Sequence, residues 1–346
     1  MTTAVTASNI NNLARWWTPL ANGRLRCDLC PRECTLSRGQ RGFCYLRHNA
    51  DGRLVTDAHG TAVGLAVDPI EKKPLYHFYP GNQILSFGTV GCNLGCKFCQ
   101  NWHISSDYSG SGRRYSADEI VELARQYDCL GIAYTYNDPI IFGEWMIEVA
   151  QKARAAGLKN VLVTNGYVSD RARSEIFSAA DAVNMDLKSI DDRFYHRLTG
   201  GKLAPVLDSL RWLAESNVWL EITTLVIPGE NDEPAQLRQL SEFIVNELGS
   251  EIPLHFSAFH PAFRMNQHPA TPLTTLEKAA AIARSAGVRH VYLGNVMSSS
   301  GSTTCCPQCG GELIRRQGYR TRISGLENNT CRHCGTTIAG HFEELK

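Results

Sequence analysis

Between Ile84 and Leu293, short apolar runs alternate with amphipathic stretches of helical period, and this alternation limits the possible folds more than any other feature. The apolar runs fall at 84–87, 130–135, 160–164, 182–187, 219–227, 254–259 and 290–293. The helical patterns fall at 116–126, 140–156, 170–179, 205–215, 234–248 and 274–286. Strands separated by helices of this length pair in parallel through right-handed crossovers. Ser116 followed by Glu119 is a capping box that starts the first helix. About seven strands fall short of a closed eight-stranded barrel. In any such α/β arrangement the reactive groups collect where the strands end.

Cysteines flank and interrupt this core. The chain has 13, and 11 of them fall in three clusters, leaving Cys129 and Cys305 over. The segment Met1 to Asn12 has no basic and apolar leader pattern, and no apolar run approaches a membrane span. Clustered C-x2-C pairs without an export signal indicate metal rather than disulfides, so the cytoplasm is the expected location. A formal net charge of +1 gives no electrostatic case for a nucleic-acid or membrane partner.

The N-terminal group is Cys27, Cys30, Cys34 and Cys44, with turns shaped by Pro31, Gly39 and Gly42. Zinc is the default occupant of a closed four-thiolate site, and a second iron–sulfur cluster is the alternative. Residues 53–79 show a short alternating pattern, as in a small sheet, broken by Pro69, Pro74 and Pro80. At the other end, Ser298 to Thr304 reads as a flexible linker. Beyond it, Cys306, Cys309, Cys331 and Cys334 form the paired knuckles of a zinc ribbon, with His333 and His341 as surface residues. A ribbon on such a linker is free to fold back over the barrel mouth, where the strands end, or to meet a partner. The expected units are residues 1–82, 83–297 and 298–346.

The central group is Cys92, Cys96 and Cys99, spaced C-x3-C-x2-C directly after the first apolar run. Three thiolates on one loop hold three corners of a [4Fe–4S] cube and leave the fourth iron open. The competing readings are a zinc knuckle or three unrelated thiols, but zinc wants a fourth ligand. This stretch resembles the radical S-adenosylmethionine (SAM) superfamily. The resemblance implies a partial (β/α)6 TIM-type barrel. It implies that the open iron binds SAM and that one electron cleaves SAM to a 5′-deoxyadenosyl radical. Phe98 matches the aromatic that lies near the adenine in that superfamily.

The strand-end residues extend the comparison. Asn137 and Asp138 follow the second run, and Asp138 corresponds to an acid that meets the methionyl ammonium; the alternative is a turn with a helix N-cap. Thr164 and Asn165 follow the third run. Asp186 and Lys188 end the fourth, two apart and so on one face, suited to a carboxylate and ribose hydroxyls. His255 and His260 close the ring, and the resemblance puts His260 near the ribose.

Taken with the Cys-x2-Cys-Pro-Arg-x-Cys opening and the terminal ribbon, these segments resemble the AmmeMemoRadiSam-system radical SAM proteins, relatives of the pyruvate formate-lyase activating enzymes. That implies a reductant such as flavodoxin or ferredoxin, and a link to Memo-like and AMMECR-like proteins. The rival functions are activation of a glycyl-radical enzyme, and a non-catalytic iron–sulfur electron carrier or zinc-ribbon binding module. The extended run of βα units counts against the non-catalytic pair.

Overall fold

The structure, a computed structural model, describes residues 12–106, 112–296 and 299–343. The lead-in at residues 1–11 therefore lies outside the described residues, as does Ser298 of the expected linker.

Seven parallel strands form the body: β1 (Gln83–Gly88), β2 (Gly131–Tyr134), β3 (Lys159–Thr164), β4 (Ala182–Asp186), β5 (Trp219–Val226), β6 (Leu254–Ala258) and β7 (Val291–Gly294). Each pairs in parallel with the next in chain order. Six helices fill the crossovers: Ala117–Gln126, Gly143–Ala155, Asp170–Phe177, Ala204–Ala214, Pro234–Phe243 and Leu273–Ser285. The strand Thr61–Pro69 adds to the outer edge of β1 antiparallel, and the short strand Arg113–Arg114 adds to it in turn, giving nine strands in one mixed sheet. Residues 61–69 thus belong to the main sheet, whereas the alternating pattern suggested a separate small one. The reason is burial: pairing with β1 covers what would otherwise be an open strand edge.

The elements form for local reasons. β1 to β4 are buried at nearly every position, so they read as continuous apolar runs, as expected of a sheet covered on both faces. In the first helix Ala117, Ile120, Val121 and Ala124 are buried, a single stripe at helical spacing. The capping box is formed, with Ser116 Oγ accepting from the Glu119 N–H and Glu119 Oε2 accepting from the Ser116 N–H at 2.7 Å. Phe87 of β1 packs against Tyr134, Phe142 and Trp145, with ring centroids 5.0–6.2 Å apart. Truncating such a buried aromatic costs about 3–5 kcal/mol.

The C-terminal residues are docked, which corrects the flexible-linker expectation. Ser299–Ser302 forms a short helical turn, and Thr304–Cys305 pairs with the strand Glu312–Gln317. The ribbon has a small core of its own, including Leu313, Ile314, Leu326, Ile338 and Phe342. It lies against the N-terminal ends of the parallel strands. The His341 N–H donates to His77 O and the Tyr79 N–H to His341 O, each at 2.7 Å. Arg316, fully buried, donates to Tyr76 O at 2.7 Å and to Thr304 Oγ1 at 2.8 Å. His341, expected to be plain surface, stacks on Tyr79 and meets Trp219 edge-on.

Beneath this junction sits Glu221, near the start of β5. Its carboxylate accepts from the Tyr76 and His77 N–H groups and the Trp219 indole N–H, and pairs with His255 Nε2 at 2.7 Å. Burial opposes its ionisation, yet the hydrogen bond and charge of His255 hold it below the usual glutamate range. His255 is therefore engaged at the N-terminal end of β6, away from the ring of strand-end residues it was expected to close.

Candidate active site

The loop after β1 is fixed by its own chain and by the next two strand ends. Gly88 has no room for a side chain, since a Cβ there would lie 2.3 Å from Thr135 O. Gly91 adopts a φ of +81° and lies against Cys44 O, where a Cβ would also come to 2.3 Å. Asn137 braces the turn between them. Its Nδ2 donates to Thr89 Oγ1 at 2.8 Å and Gly91 O at 3.0 Å, and its Oδ1 accepts from the Thr89 N–H. Further along, the Gly95 and Lys97 N–H groups donate to Thr199 O and Leu198 O, and Asn93 Nδ2 donates to Tyr167 O. A loop held at this many points presents its thiols in one arrangement.

Those thiols face a cavity of about 230 Å³ at the C-terminal strand ends. Cys92, Cys96, Phe98, Cys99, Asn137, Asp138, Asn165, Asp186 and Lys188 all line it. Thr164 and His260 do not. Thr164 Oγ1 donates to the Asp138 carboxylate, and His260 Nε2 lies 3.2 Å from the carbonyl oxygen of Asn295, itself a lining residue. Asp138 is fully buried and acts as the N-cap of the turn Pro139–Phe142. Its oxygens accept from the Ile140 N–H, the Asn165 N–H and Thr164 Oγ1. The carboxyl therefore ties the end of β2 to the end of β3. Burial pushes it up to about 6, in spite of those donors. Asn165 continues the chain of contacts, with Nδ2 donating to Asn93 Oδ1 at 2.8 Å.

Among the described residues, Lys188 is the one cation lining the cavity. Burial works against its charge, but Asp186 Oδ2, 2.8 Å from Nζ, holds it above the usual lysine range. Its Nζ stands 5.9 Å from the Phe98 ring centre, so one cation and one aromatic face share the same wall.

Eight further lining residues were not singled out as site candidates from the sequence, among them Tyr136, Thr223, Ser257 and Asn295. Ser257 shares a strand face with His255 by the two-residue period, two positions nearer the strand's end, and Thr223 stands likewise beyond Glu221. That parity was the available signal. Asn295, directly after β7, has a φ of +57°, a conformation common at functional turns.

Three thiols on one cavity, with no fourth cysteine among the described residues that line it, fit a cube with one open iron better than a zinc site, which closes on four ligands. The Leu94 N–H points to Cys92 Sγ at 3.5 Å, as expected where thiolate charge must be held.

Comparison with known proteins agrees with this chemistry. Residues 87–240 match the model of the radical SAM superfamily. An uncharacterized protein of Methanocaldococcus jannaschii is 40% identical over 329 residues, covering 94% of this chain and 98% of its own. The pyruvate formate-lyase-activating enzyme of Listeria monocytogenes is 26% identical over 180 residues, 48% of this chain and 70% of its own. Among solved structures, Streptococcus suis SuiB bound to precursor peptide SuiA superposes with a TM-score of 0.50 at 13% identity, covering 65% of this chain and 51% of SuiB, a likeness of fold.

Proposed function

Because the chain belongs to the radical SAM superfamily, we propose that it cleaves S-adenosylmethionine reductively and takes a hydrogen atom from a substrate held at the C-terminal strand ends. The observation that carries this reading is the convergence of Cys92, Cys96 and Cys99 on one cavity with Lys188, Asp186 and Phe98. A [4Fe–4S] cluster, when bound, supplies one electron to SAM, giving methionine and a 5′-deoxyadenosyl radical that becomes 5′-deoxyadenosine on taking hydrogen.

The chain's own residues bind and orient. Cys92, Cys96 and Cys99 ligate. Lys188 meets the methionyl carboxylate, Asp186 the ribose hydroxyls, and Phe98 flanks the adenine. Asn137, Asp138, Thr164 and Asn165 set the loop and strand ends from behind, and His260 acts on the ribose side through Asn295. The body is a radical-SAM-type partial barrel, the ribbon cysteines hold zinc, and the protein works in the cytoplasm with a flavodoxin- or ferredoxin-class donor. No described helix is long and apolar enough to cross a membrane.

Replacing Cys92, Cys96 and Cys99 together by Ala tests this reading. The variant should form no 5′-deoxyadenosine from SAM under dithionite. Formation at the wild-type rate would end the proposal.

A second reading, activation of a glycyl-radical enzyme, is favoured by the similarity to the pyruvate formate-lyase-activating enzyme. It predicts a glycyl radical signal on a partner polypeptide after turnover. Memo-like and AMMECR-like proteins are the candidate partners, to be sought by co-purification with the reconstituted enzyme.

A further inference from the structure

The geometry points to a second iron–sulfur cluster on Cys27, Cys30, Cys34 and Cys44, placed to pass electrons to the Cys92 loop. The structure carries an internal measure of what a zinc site looks like. In the ribbon, Cys306 and Cys334 sulfurs lie 3.6 Å apart, and Cys309 and Cys331 sulfurs 3.8 Å. A tetrahedron with Zn–S bonds of about 2.3 Å has edges of about 3.8 Å. Among the described residues, the ribbon four are the one group of three or more such side chains whose ligand atoms all come within 4.8 Å of one another. The N-terminal four surround a common cavity without closing to that spacing. In this they resemble Cys92, Cys96 and Cys99. A cube keeps its thiolates farther apart than a single ion does, because irons and sulfides stand between them.

A second observation comes from Arg47, which lines the same cavity. It is fully buried, pairs with Glu144 at 2.9 Å, and leaves its Nε buried with no hydrogen-bond partner. A buried guanidinium set beside the Cys27 and Cys44 sulfurs calls for an anionic acceptor, and thiolate or cluster sulfide provides one. Leu29 and Ile141 complete a largely apolar wall.

The two sites abut. The carbonyl of Cys44 packs on Gly91, one residue from Cys92. Asn93 lines the N-terminal cavity, and its Oδ1 accepts from Asn165, which lines the other. Arg32, between Cys30 and Cys34, donates to Asn93 O. Phe43, beside Cys44, is 41% exposed and gives this site a face toward solvent. The step is a one-electron transfer. A low-potential iron–sulfur or flavin protein is oxidised by one electron and the N-terminal cluster reduced by one. That cluster then returns to its oxidised state as the electron moves to the cluster of the Cys92 loop. The relay rests on the radical SAM reading; the presence of the cluster does not.

The test uses the full chain, prepared without oxygen and analysed for metals and by Mössbauer and electron paramagnetic resonance spectroscopy. About eight irons and one zinc per chain are expected, and about four irons with two zincs would overturn the assignment. The variant Cys92→Ala/Cys96→Ala/Cys99→Ala should keep about four irons and a reduced-cube resonance. Complete loss of iron from that variant, with its fold intact by circular dichroism, would also overturn it. Fully reduced wild type should show a resonance broadened by coupling between two neighbouring clusters, which sharpens in the variant. Two uncoupled spectra would refute the relay while leaving the cluster standing. Wild type with eight irons that fails to cleave SAM would refute the proposed function alone.

Discussion

Replacing Lys188 by Met separates ligand binding from folding, because the two costs differ in size. Among the described residues the Lys188 ammonium pairs with one carboxylate, Asp186 Oδ2 at 2.8 Å, and the Asp186 side chain is 32% exposed. Losing that pair leaves an acid that water in the cavity can reach, so the cost to stability is about 1 kcal/mol at most. The strand end stays in place, since the Lys188 N–H still donates to Tyr195 Oη at 3.1 Å. The Met side chain also keeps the apolar stem beside Phe98. Losing a charge-assisted hydrogen bond to a ligand carboxylate costs about 1.5–3 kcal/mol, or about 10- to 150-fold in affinity. Anaerobic titration calorimetry of SAM into the reconstituted variant measures this directly, with urea unfolding as the control. A dissociation constant within about threefold of wild type, at equal iron content, would remove Lys188 from the SAM contacts. A large loss of stability with the loss of binding would make it a structural residue instead.

Three more outcomes are expected. Asp138→Ala should destabilise the fold by about 2–4 kcal/mol in urea, because the Ile140 and Asn165 N–H groups lose a buried acceptor; weakened SAM binding at unchanged stability would return the carboxyl to direct ligand contact. Burial depresses His77 to about 3, beside His290, Glu221 and Tyr292. The unfolded chain therefore takes up a proton below about 6.5 that the folded chain refuses, so stability rises with pH through this window and falls on acidification, by up to about 1.4 kcal/mol per pH unit. The stability advantage of wild type over His77→Gln should shrink from pH 7 to pH 5, and a constant difference would sink the argument. Stripping metal from the ribbon by Cys306→Ala/Cys334→Ala should lower the melting temperature and expose residues 304–343 to protease, because its small core depends on metal for folding; an unchanged digestion pattern would contradict this.

The parallel core was legible because continuous apolar runs and stretches of helical period are written locally, and each strand and helix boundary moved by only a few residues. The convergence of the central cysteines on one cavity was legible because their spacing places them on one short loop. Asn137 and Asp138 were singled out, but their work as braces was not, because a strand-end acid looks the same in sequence whether it faces a ligand or a neighbouring strand. The N-cap alternative for Asp138 pointed the right way. Docking of the ribbon was hidden for another reason. It depends on Arg316 reaching Tyr76 O, 240 residues earlier, and on Thr304 bonding to Tyr292, and no local pattern encodes such partners. The Ser, Gly and Thr composition of the supposed linker was overridden by those contacts.

Docking at the N-terminal strand ends has a consequence for the order in which this protein is made. Glu221 and its donors from Tyr76, His77 and Trp219 are synthesised long before the ribbon that covers them. At 5–20 residues per second, the ~40 residues of the ribbon, 304–343, take a ribosome about 2–8 s. During that interval the sheet has its strands but not its floor, and Tyr76, Phe78 and Trp219 stand open to water. Completion of the fold therefore waits on the ribbon and on the zinc proposed for its four cysteines. A chain truncated near its end, or made under zinc starvation, is expected to expose an aromatic surface that chaperones and proteases recognise, whatever the state of its cluster loop.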